Sequence, residues 1–375
     1  MGFIKDAYTI FRIGARTVSN TYLKSSRPSH VSIAVTNRCN SRCIYCETYL
    51  CDFSKELTTQ QMISIIDEIS RDGSCYITLT GGEPFMRQDI FDIIKHCYKR
   101  NLIVNIPTNG LKIHNFNAGQ INTIVKCVRN IQLSIDSADT KENDFIRGVD
   151  GSLDLAIQGV KRLKDGGFDK IGILTVISRY NYKKLKGLLY LTRDLGLKRI
   201  RFQPVGINSN YPSIAPLKDK REVLIRGKQI DELRDTLSEY IRLENRLGLT
   251  TNLKFLKTWI GPYFKFIESE KFFMKEVNRC FRCIYPATAL FIDSNGRLQP
   301  CQFLNNVGSG LKEVVYNWRH NKKLNEIRKS LKKGNFFQEC RRCMCTFEFS
   351  STYQPFSKSQ PPLLISKVRQ KIKDS

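Results

Sequence analysis

Short apolar runs recur through the first 205 residues, at 31–35, 76–80, 102–107, 131–135, 171–177 and 200–203. Longer stretches whose apolar positions repeat about every 3.6 residues fill the gaps, as at 59–71 and 182–195. Repeated strand–helix units favour a parallel sheet, because each helical crossover returns the chain to the same end of the sheet. Six such units predict an α/β fold, a partial (β/α)6 TIM-type barrel spanning residues 31–205. In barrels of this kind the chemistry gathers at the C-terminal ends of the strands.

The flanks read differently. Residues 2–24 carry Phe3, Ile4, Ala7, Tyr8, Phe11, Ala15, Val18 and Tyr22 at three- and four-residue intervals, an amphipathic helix flanked by Lys5, Arg12 and Arg16. With the Ser-Ser-Arg-Pro-Ser linker it makes up residues 1–30. Residues 206–278 combine a charged bridging helix at 219–246 with an aromatic-rich stretch at 253–275, expected to pack at the barrel mouth. A small Cys-rich C-terminal domain follows over 279–350, in which 289–292 and 297–299 read as a hairpin about an Asn-Gly turn. Residues 314–331 read as one basic helix with a mostly solvated face, and 351–375 as a basic mobile tail.

Composition narrows the class. A chain of 375 residues, 41% hydrophobic, can bury a sizeable core. No apolar run of 18 residues and no cleavable signal stands out, so neither a span nor secretion is expected. The 13 Cys then point to metal or redox chemistry in a reducing, oxygen-poor cytoplasm rather than to disulfides. Cys51, Cys75, Cys97 and Cys127 stand alone and read as core thiols. The formal net charge of +26 favours an acidic or anionic substrate. The N-terminal helix either packs on the barrel or makes a peripheral contact with an anionic membrane. No dedicated nucleic-acid module accompanies the basic charge, and the four His form no metal constellation.

The chemistry-bearing stretch is the loop after the first strand, where Cys39, Cys43 and Cys46 fall within eight residues. Three thiolates on one loop hold three irons of a [4Fe-4S] cubane and leave the fourth iron open; the alternative is a zinc knuckle, which usually wants paired Cys-x2-Cys ligands. After the second strand comes Gly81-Gly82-Glu83, where glycines allow close backbone approach to a ligand and a carboxylate can pair with an ammonium group. Thr108-Asn109-Gly110 follows the third strand, and Ser134 and Asp136 close the fourth.

The Cys-x3-Cys-x2-Cys spacing with Tyr45 before the last Cys, followed by Gly81-Gly82-Glu83, resembles the radical S-adenosylmethionine (SAM) enzymes. The stretches 80–110 and 131–148 look most like the branch containing the molybdenum-cofactor GTP cyclase and peptide-modifying enzymes. The resemblance implies a SAM-binding [4Fe-4S] cluster on Cys39, Cys43 and Cys46. It also implies SAM contacts at Tyr45 near the adenine, Gly81, Gly82 and Glu83 at the methionyl amine, and Ser134 and Asp136 at the ribose. Arg147-Gly148 and Asn181 resemble family positions too, with no role attached. Twelve residues separate Cys283 from Gly296 and four separate Gly296 from Cys301, which resembles the start of the auxiliary-cluster SPASM and twitch domains. An auxiliary [4Fe-4S] cluster on Cys283, Cys301, Cys340 and Cys343 is implied, with Cys280 and Cys345 either substitutes or ligands of a second cluster. The rival is a zinc ribbon on Cys280, Cys283, Cys340 and Cys343.

The implied activity is reductive cleavage of SAM, fed by a ferredoxin- or flavodoxin-type electron donor. The resulting 5′-deoxyadenosyl radical takes hydrogen from a peptide, protein, lipid or cell-envelope precursor. GTP cyclisation is the small-molecule alternative, although the chain ends Lys371-Ile372-Lys373-Asp374-Ser375 without the terminal Gly-Gly of that family. The 30 residues before the first strand are fewer than the peptide-recognition domain many peptide modifiers carry. A zinc-stabilised nucleic-acid-binding protein is the alternative of another class.

Overall fold

The computed structural model describes residues 28–71, 76–206, 220–268, 283, 285–301, 304, 306–309, 314–337 and 340. Six strand–helix units build the sheet. Its strands are β1 (His30–Thr36), β2 (Tyr76–Gly81), β3 (Ile103–Thr108), β4 (Val128–Ser134), β5 (Ile171–Ile177) and β6 (Ile200–Pro204). Helices α1 (Thr59–Arg71), α2 (Ile90–Lys99), α3 (Ala118–Cys127), α4 (Thr140–Arg147), α5 (Ser152–Asp165) and α6 (Leu185–Asp194) connect them. All adjacent pairs from β1 to β6 are parallel and in sequence order. This is the partial TIM-type barrel expected from the alternating runs.

Strands β2, β3 and β4 put their alternate residues to opposite uses. Ile77, Leu79, Val104, Ile106, Ile131 and Leu133 are fully buried and pack in one core with Ile65, Ile66, Ile93, Ile94 and Ile124 of the helices. Truncating one such side chain, as in Leu133→Ala, costs about 2–5 kcal/mol.

Several boundaries differ from the sequence reading, each for a local reason. Strand β4 begins at Val128 rather than 131, because α3 ends at Cys127 and the Val128 N–H closes the helix on the Ile124 carbonyl. Helix α6 starts at Leu185 rather than 182, since the Asn181 side chain ties the preceding turn to Ser178. The bridging helix is a short 3-10 turn (Lys220–Val223) followed by α7 (Lys228–Arg246), interrupted at Gly227, whose φ of +50° breaks the helix. The aromatic stretch forms α8 (Leu253–Glu268), with Leu256, Ile260, Tyr263 and Phe264 buried.

After the one-turn helix α9 (Tyr285–Thr288), the hairpin strands, β7 (Ala289–Ile292) and β8 (Arg297–Gln299), meet as expected about Gly296, at φ +77°. Strand β7 also pairs in parallel with β1, from His30↔Ala289 to Ile33↔Ile292, so the C-terminal segment extends the barrel sheet. Strand β9 (Gly308–Ser309) completes the order β6-β5-β4-β3-β2-β1-β7-β8-β9. The basic stretch is two helices, α10 (Val314–His320) and α11 (Lys322–Lys332), because Asn321 caps the second by accepting from the Leu324 N–H at 2.9 Å. Its basic face is solvated, as expected, at Arg319, His320, Lys322, Lys323 and Lys329, while Val314, Trp318, Leu324, Ile327 and Leu331 are buried and the Arg328 guanidinium lies 4.1 Å from the Trp318 ring centre. Cys51, Cys97 and Cys127 are buried. Among the described residues no helix is long and apolar enough to cross a membrane. The N-terminal helix, Cys75, the aromatic residues after 268 and the tail lie outside the described residues.

At the opposite end from the Cys loop, the His30 Nε2 of β1 lies 2.9 Å from the Thr78 hydroxyl. Burial drives its imidazole down to about 4. An unfolded chain takes up that proton near pH 6.5, so between about 6.5 and 4 the unfolded state binds more protons and stability falls as pH drops, by up to about 3 kcal/mol. Urea midpoints measured from about pH 7 down to 4.5 are expected to fall more steeply for the natural chain than for His30→Gln.

Candidate functional site

Three strand ends converge on the Cys loop. As the chain leaves β1, the Thr36 hydroxyl donates to the Glu56 carboxylate at 3.0 Å, and the Asn37 N–H donates to the same group. Further along, the Arg42 N–H donates to the Arg147 carbonyl at 3.1 Å and the Ile44 N–H to the Ile146 carbonyl at 3.0 Å, so the loop lies against the end of α4. Gly148 permits that approach: it sits at φ +64°, and a Cβ there would stand 2.4 Å from the Arg42 carbonyl oxygen. Between these anchors the Cys46 N–H closes a turn on the Cys43 carbonyl at 3.0 Å.

Burial pushes the Cys39 thiol up to about 11 and the Cys43 thiol up to about 12. Neighbouring thiols raise them further, and Arg147 opposes the rise. Cys39 and Cys43 held this way ionise poorly on their own; a polynuclear cation beside them supplies the missing positive charge. Among the described residues no three His, Cys, Asp or Glu side chains converge tightly enough for one ion. A cubane takes each of three thiolates on a separate iron, and the three thiols of this loop fit that demand.

Gly81 and Gly82 place the end of β2 directly on this loop. A Cβ at Gly81, φ +122°, would stand 2.1 Å from the Thr36 oxygen, and one at Gly82 would stand 2.3 Å from the Arg38 oxygen. The Gly82 N–H donates to the Thr36 carbonyl at 2.7 Å and the Glu83 N–H to the Arg38 carbonyl at 2.8 Å. The close approach in this structure is between two backbones. Glu83 is 1% exposed. Its carboxylate accepts from the Asn109 N–H at 2.7 Å, the Thr108 hydroxyl at 2.8 Å and the Phe85 N–H at 3.1 Å. Burial raises its pKa, and those three bonds oppose the rise. The Asn109 side-chain amide continues to the Asn40 Oδ1 at 2.8 Å and the Ser41 hydroxyl at 2.9 Å, which ties β3 back to the Cys loop.

Beyond β4, Asp136 is fully buried. Its Oδ2 accepts from the Tyr45 hydroxyl at 2.6 Å and from Arg147 Nη1 at 3.3 Å, while its Oδ1 accepts from the Val176 N–H at 2.7 Å. Arg147 Nη1 also donates to the Tyr45 hydroxyl at 2.6 Å. Burial disfavours the Arg147 charge, but Cys43, Tyr45 and Asp136 outweigh it and keep the guanidinium protonated. Burial likewise lifts the Tyr45 phenol well above its ordinary range, so it remains a donor. Asn181, the other position without an assigned role, donates its amide to the Asp136 carbonyl at 2.8 Å. Ser134 lies at the end of β4, partly exposed on the inner face of the sheet.

The structure thus brings together the Cys loop, Tyr45, the Gly81–Glu83 turn and Asp136, and it adds Arg147, Asn109 and Glu56, which the sequence reading left without a part. Only the Arg-Gly pair at the end of α4 hinted at Arg147. In the C-terminal segment, Cys283, Cys301 and Cys340 gather around buried Leu304, Ile327 and Leu331. Cys280, Cys343 and Cys345 lie outside the described residues.

Residues 33–191, from β1 into α6, match the family model described as the Radical SAM superfamily. The chain therefore carries a radical SAM domain. The mycofactocin maturase MftC of Mycolicibacterium smegmatis is 32% identical over 178 residues, 46% of this chain and 44% of that protein. The GTP 3′,8-cyclase of Thermodesulfovibrio yellowstonii is 26% identical over 289 residues, 73% of this chain and 81% of that protein. The chain spans about half the length of the mycofactocin maturases it matches. Among solved structures, Streptococcus suis SuiB bound to S-adenosylmethionine shares the fold, with a TM-score of 0.60 at 18% identity over 89% of this chain and 77% of that one.

The crowding at the Gly81–Gly82 turn makes a direct test. Gly151, at φ +72°, has nothing near its missing Cβ, whereas Gly81 faces a backbone oxygen. Gly151→Ala is expected to cost about 1 kcal/mol from conformation alone and Gly81→Ala clearly more, read as a larger drop in urea midpoint. Gly81→Ala is also expected to retain less iron after anaerobic reconstitution.

Proposed function

We propose that this protein is a radical SAM enzyme whose Cys39, Cys43 and Cys46 hold a [4Fe-4S] cluster, with SAM bound over the adjoining strand ends. The observation that carries this reading is the tie of three strand ends to one three-thiol loop, with the buried Arg147 cation beside Cys43. When bound, the cluster and SAM supply one-electron cleavage of a carbon–sulfur bond, and with it the power to take hydrogen from an unreactive carbon.

The chain's own groups prepare that chemistry. Glu83 has three of its roughly four acceptor positions filled, which leaves one for the SAM ammonium while the carboxylate stays fixed. Arg147 offsets the negative charge of the thiolates. Asp136 and Arg147 pin the Tyr45 hydroxyl and so fix its ring at the mouth, where it would meet the adenine. Asp136 likewise has three of its roughly four acceptor positions filled, by Tyr45, Arg147 and Val176, which leaves one for the ribose. Ser134 is an adjacent group open to direct contact. Cys283, Cys301 and Cys340, joined by Cys343, would hold an auxiliary cluster, and a ferredoxin- or flavodoxin-type protein would supply the electron.

A peptide is the substrate this reading favours, since MftC is named as a maturase and SuiB has been seen bound to its precursor peptide SuiA. GTP cyclisation is the second reading, favoured by the alignment to the GTP 3′,8-cyclase, which runs well beyond the barrel. For the shared chemistry the test is anaerobic. Reconstituted, dithionite-reduced protein is expected to convert SAM to 5′-deoxyadenosine, and Cys43→Ala to fall to the level without enzyme, both read by mass spectrometry. Turnover by Cys43→Ala equal to that of the natural chain overturns the assignment.

A further inference from the structure

The inner face of the barrel is polar where such barrels are ordinarily packed with branched apolar side chains. On β2, β3 and β4, Thr80, Asn105, Gln132 and Ser134 are each partly exposed, while the alternating Leu79, Val104, Ile106, Ile131 and Leu133 are fully buried against the helices. None of these four side chains hydrogen-bonds to another described group, although backbone and floor are well paired. At the floor His30 meets Thr78 at 2.9 Å and Ser32 at 3.4 Å, and Arg199 donates to Asn130 at 2.7 Å. On the described strands β2, β3 and β4, the polar side chains without a protein partner therefore lie between this floor and the proposed SAM site. Their polar atoms are open to solvent, so a bound group can reach them and replace water as their partner.

The register sets their spacing. Asn105 pairs with Thr78, two residues before Thr80, and Gln132 pairs with Pro107, two residues after Asn105. Asn105 thus has Thr80 and Gln132 as diagonal neighbours on either side, about 7–8 Å away, which long side chains span. Gln132 lies about 7 Å along β4 from Ser134, on the side away from the mouth. Two carboxamides so placed each offer a donor beside an acceptor, the complement of a planar group with an N–H next to a C=O.

We infer that Asn105 and Gln132, with Thr80, form a substrate subsite that hydrogen-bonds an amide edge directly beneath the SAM site. The inference rests on the reading of the mouth as that site. The amide edge comes from either of two sources, a peptide bond or a guanine base, and the subsite recognises neutral hydrogen-bonding groups rather than an acyl chain.

The test uses the cluster-loaded full chain with SAM under anaerobic equilibrium dialysis. One arm contains a pool of acetylated heptapeptide amides, the other GTP. Comparison is with an Asn105→Leu/Gln132→Met double variant, which keeps side-chain size and removes the amides. Retention of peptides by the natural chain, weakened about tenfold or more in the variant, supports the subsite with a peptide source; the same result for GTP supports it with a base source. The thermal midpoint is read in parallel: it is expected to hold or rise in the variant, since the amides serve a ligand and not the fold. A lowered midpoint, equal retention by both proteins, or retention of neither probe by the natural chain overturns the subsite. Conversion of SAM by the natural chain is measured in the same preparation; conversion without probe retention fails the subsite alone, whereas no conversion fails the reading of the mouth.

Discussion

Arg147 acts twice on the same loop, and the site depends on both actions. Its backbone carbonyl receives the Arg42 N–H, and its guanidinium, lodged beside Cys43, reaches the Tyr45 hydroxyl and Asp136. A buried cation is tolerable only where anionic or accepting groups surround it, and three of those groups lie on or beside the thiol loop. The loop's shape and its charge balance are therefore one constraint. A loop with three sulfurs and no such support would have many conformations, and holding it still before any cluster arrives is the task of α4.

Two buried carboxylates carry the rest of the arrangement. Glu83 links the ends of β2 and β3, and Asp136 links β4, β5 and the loop. Both have nearly all their acceptor capacity filled by groups from other elements, which is why they can be buried without a large penalty. The consequence for function is rigidity at the strand ends, where a bound cofactor must meet a substrate carbon at a fixed distance. The inner wall below shows the opposite economy, with polar groups that the fold leaves unpaired.

The C-terminal Cys segment is not simply appended. Its first hairpin strand pairs with β1, the same strand that launches the thiol loop, and Trp318 of α10 donates to the Ala289 carbonyl at 3.3 Å. Ile327 and Leu331 of α11, with Leu304, then pack against Cys283, Cys301 and Cys340. Strand pairing along β1 thus connects the two groups of cysteines through the backbone.

The sequence by itself determined the strand–helix alternation, the hairpin about Gly296 and the three-Cys loop, because each is written in periods and spacings within a few residues. Helix ends were legible less well, since Asn321, Gly227 and Asn181 act through side-chain caps or backbone angles that periodicity does not register. Only the tertiary structure decided that Glu83 and Asp136 are bonded within the chain, that β7 joins β1, and that Asn105 and Gln132 face inward without partners. Those facts rest on contacts such as that between Arg147 and Tyr45, 102 residues apart, and on which face of a strand the packed helices leave uncovered. Neither leaves a local signature, because a side chain's partners across a sheet are set by register and packing rather than by its neighbours in the chain.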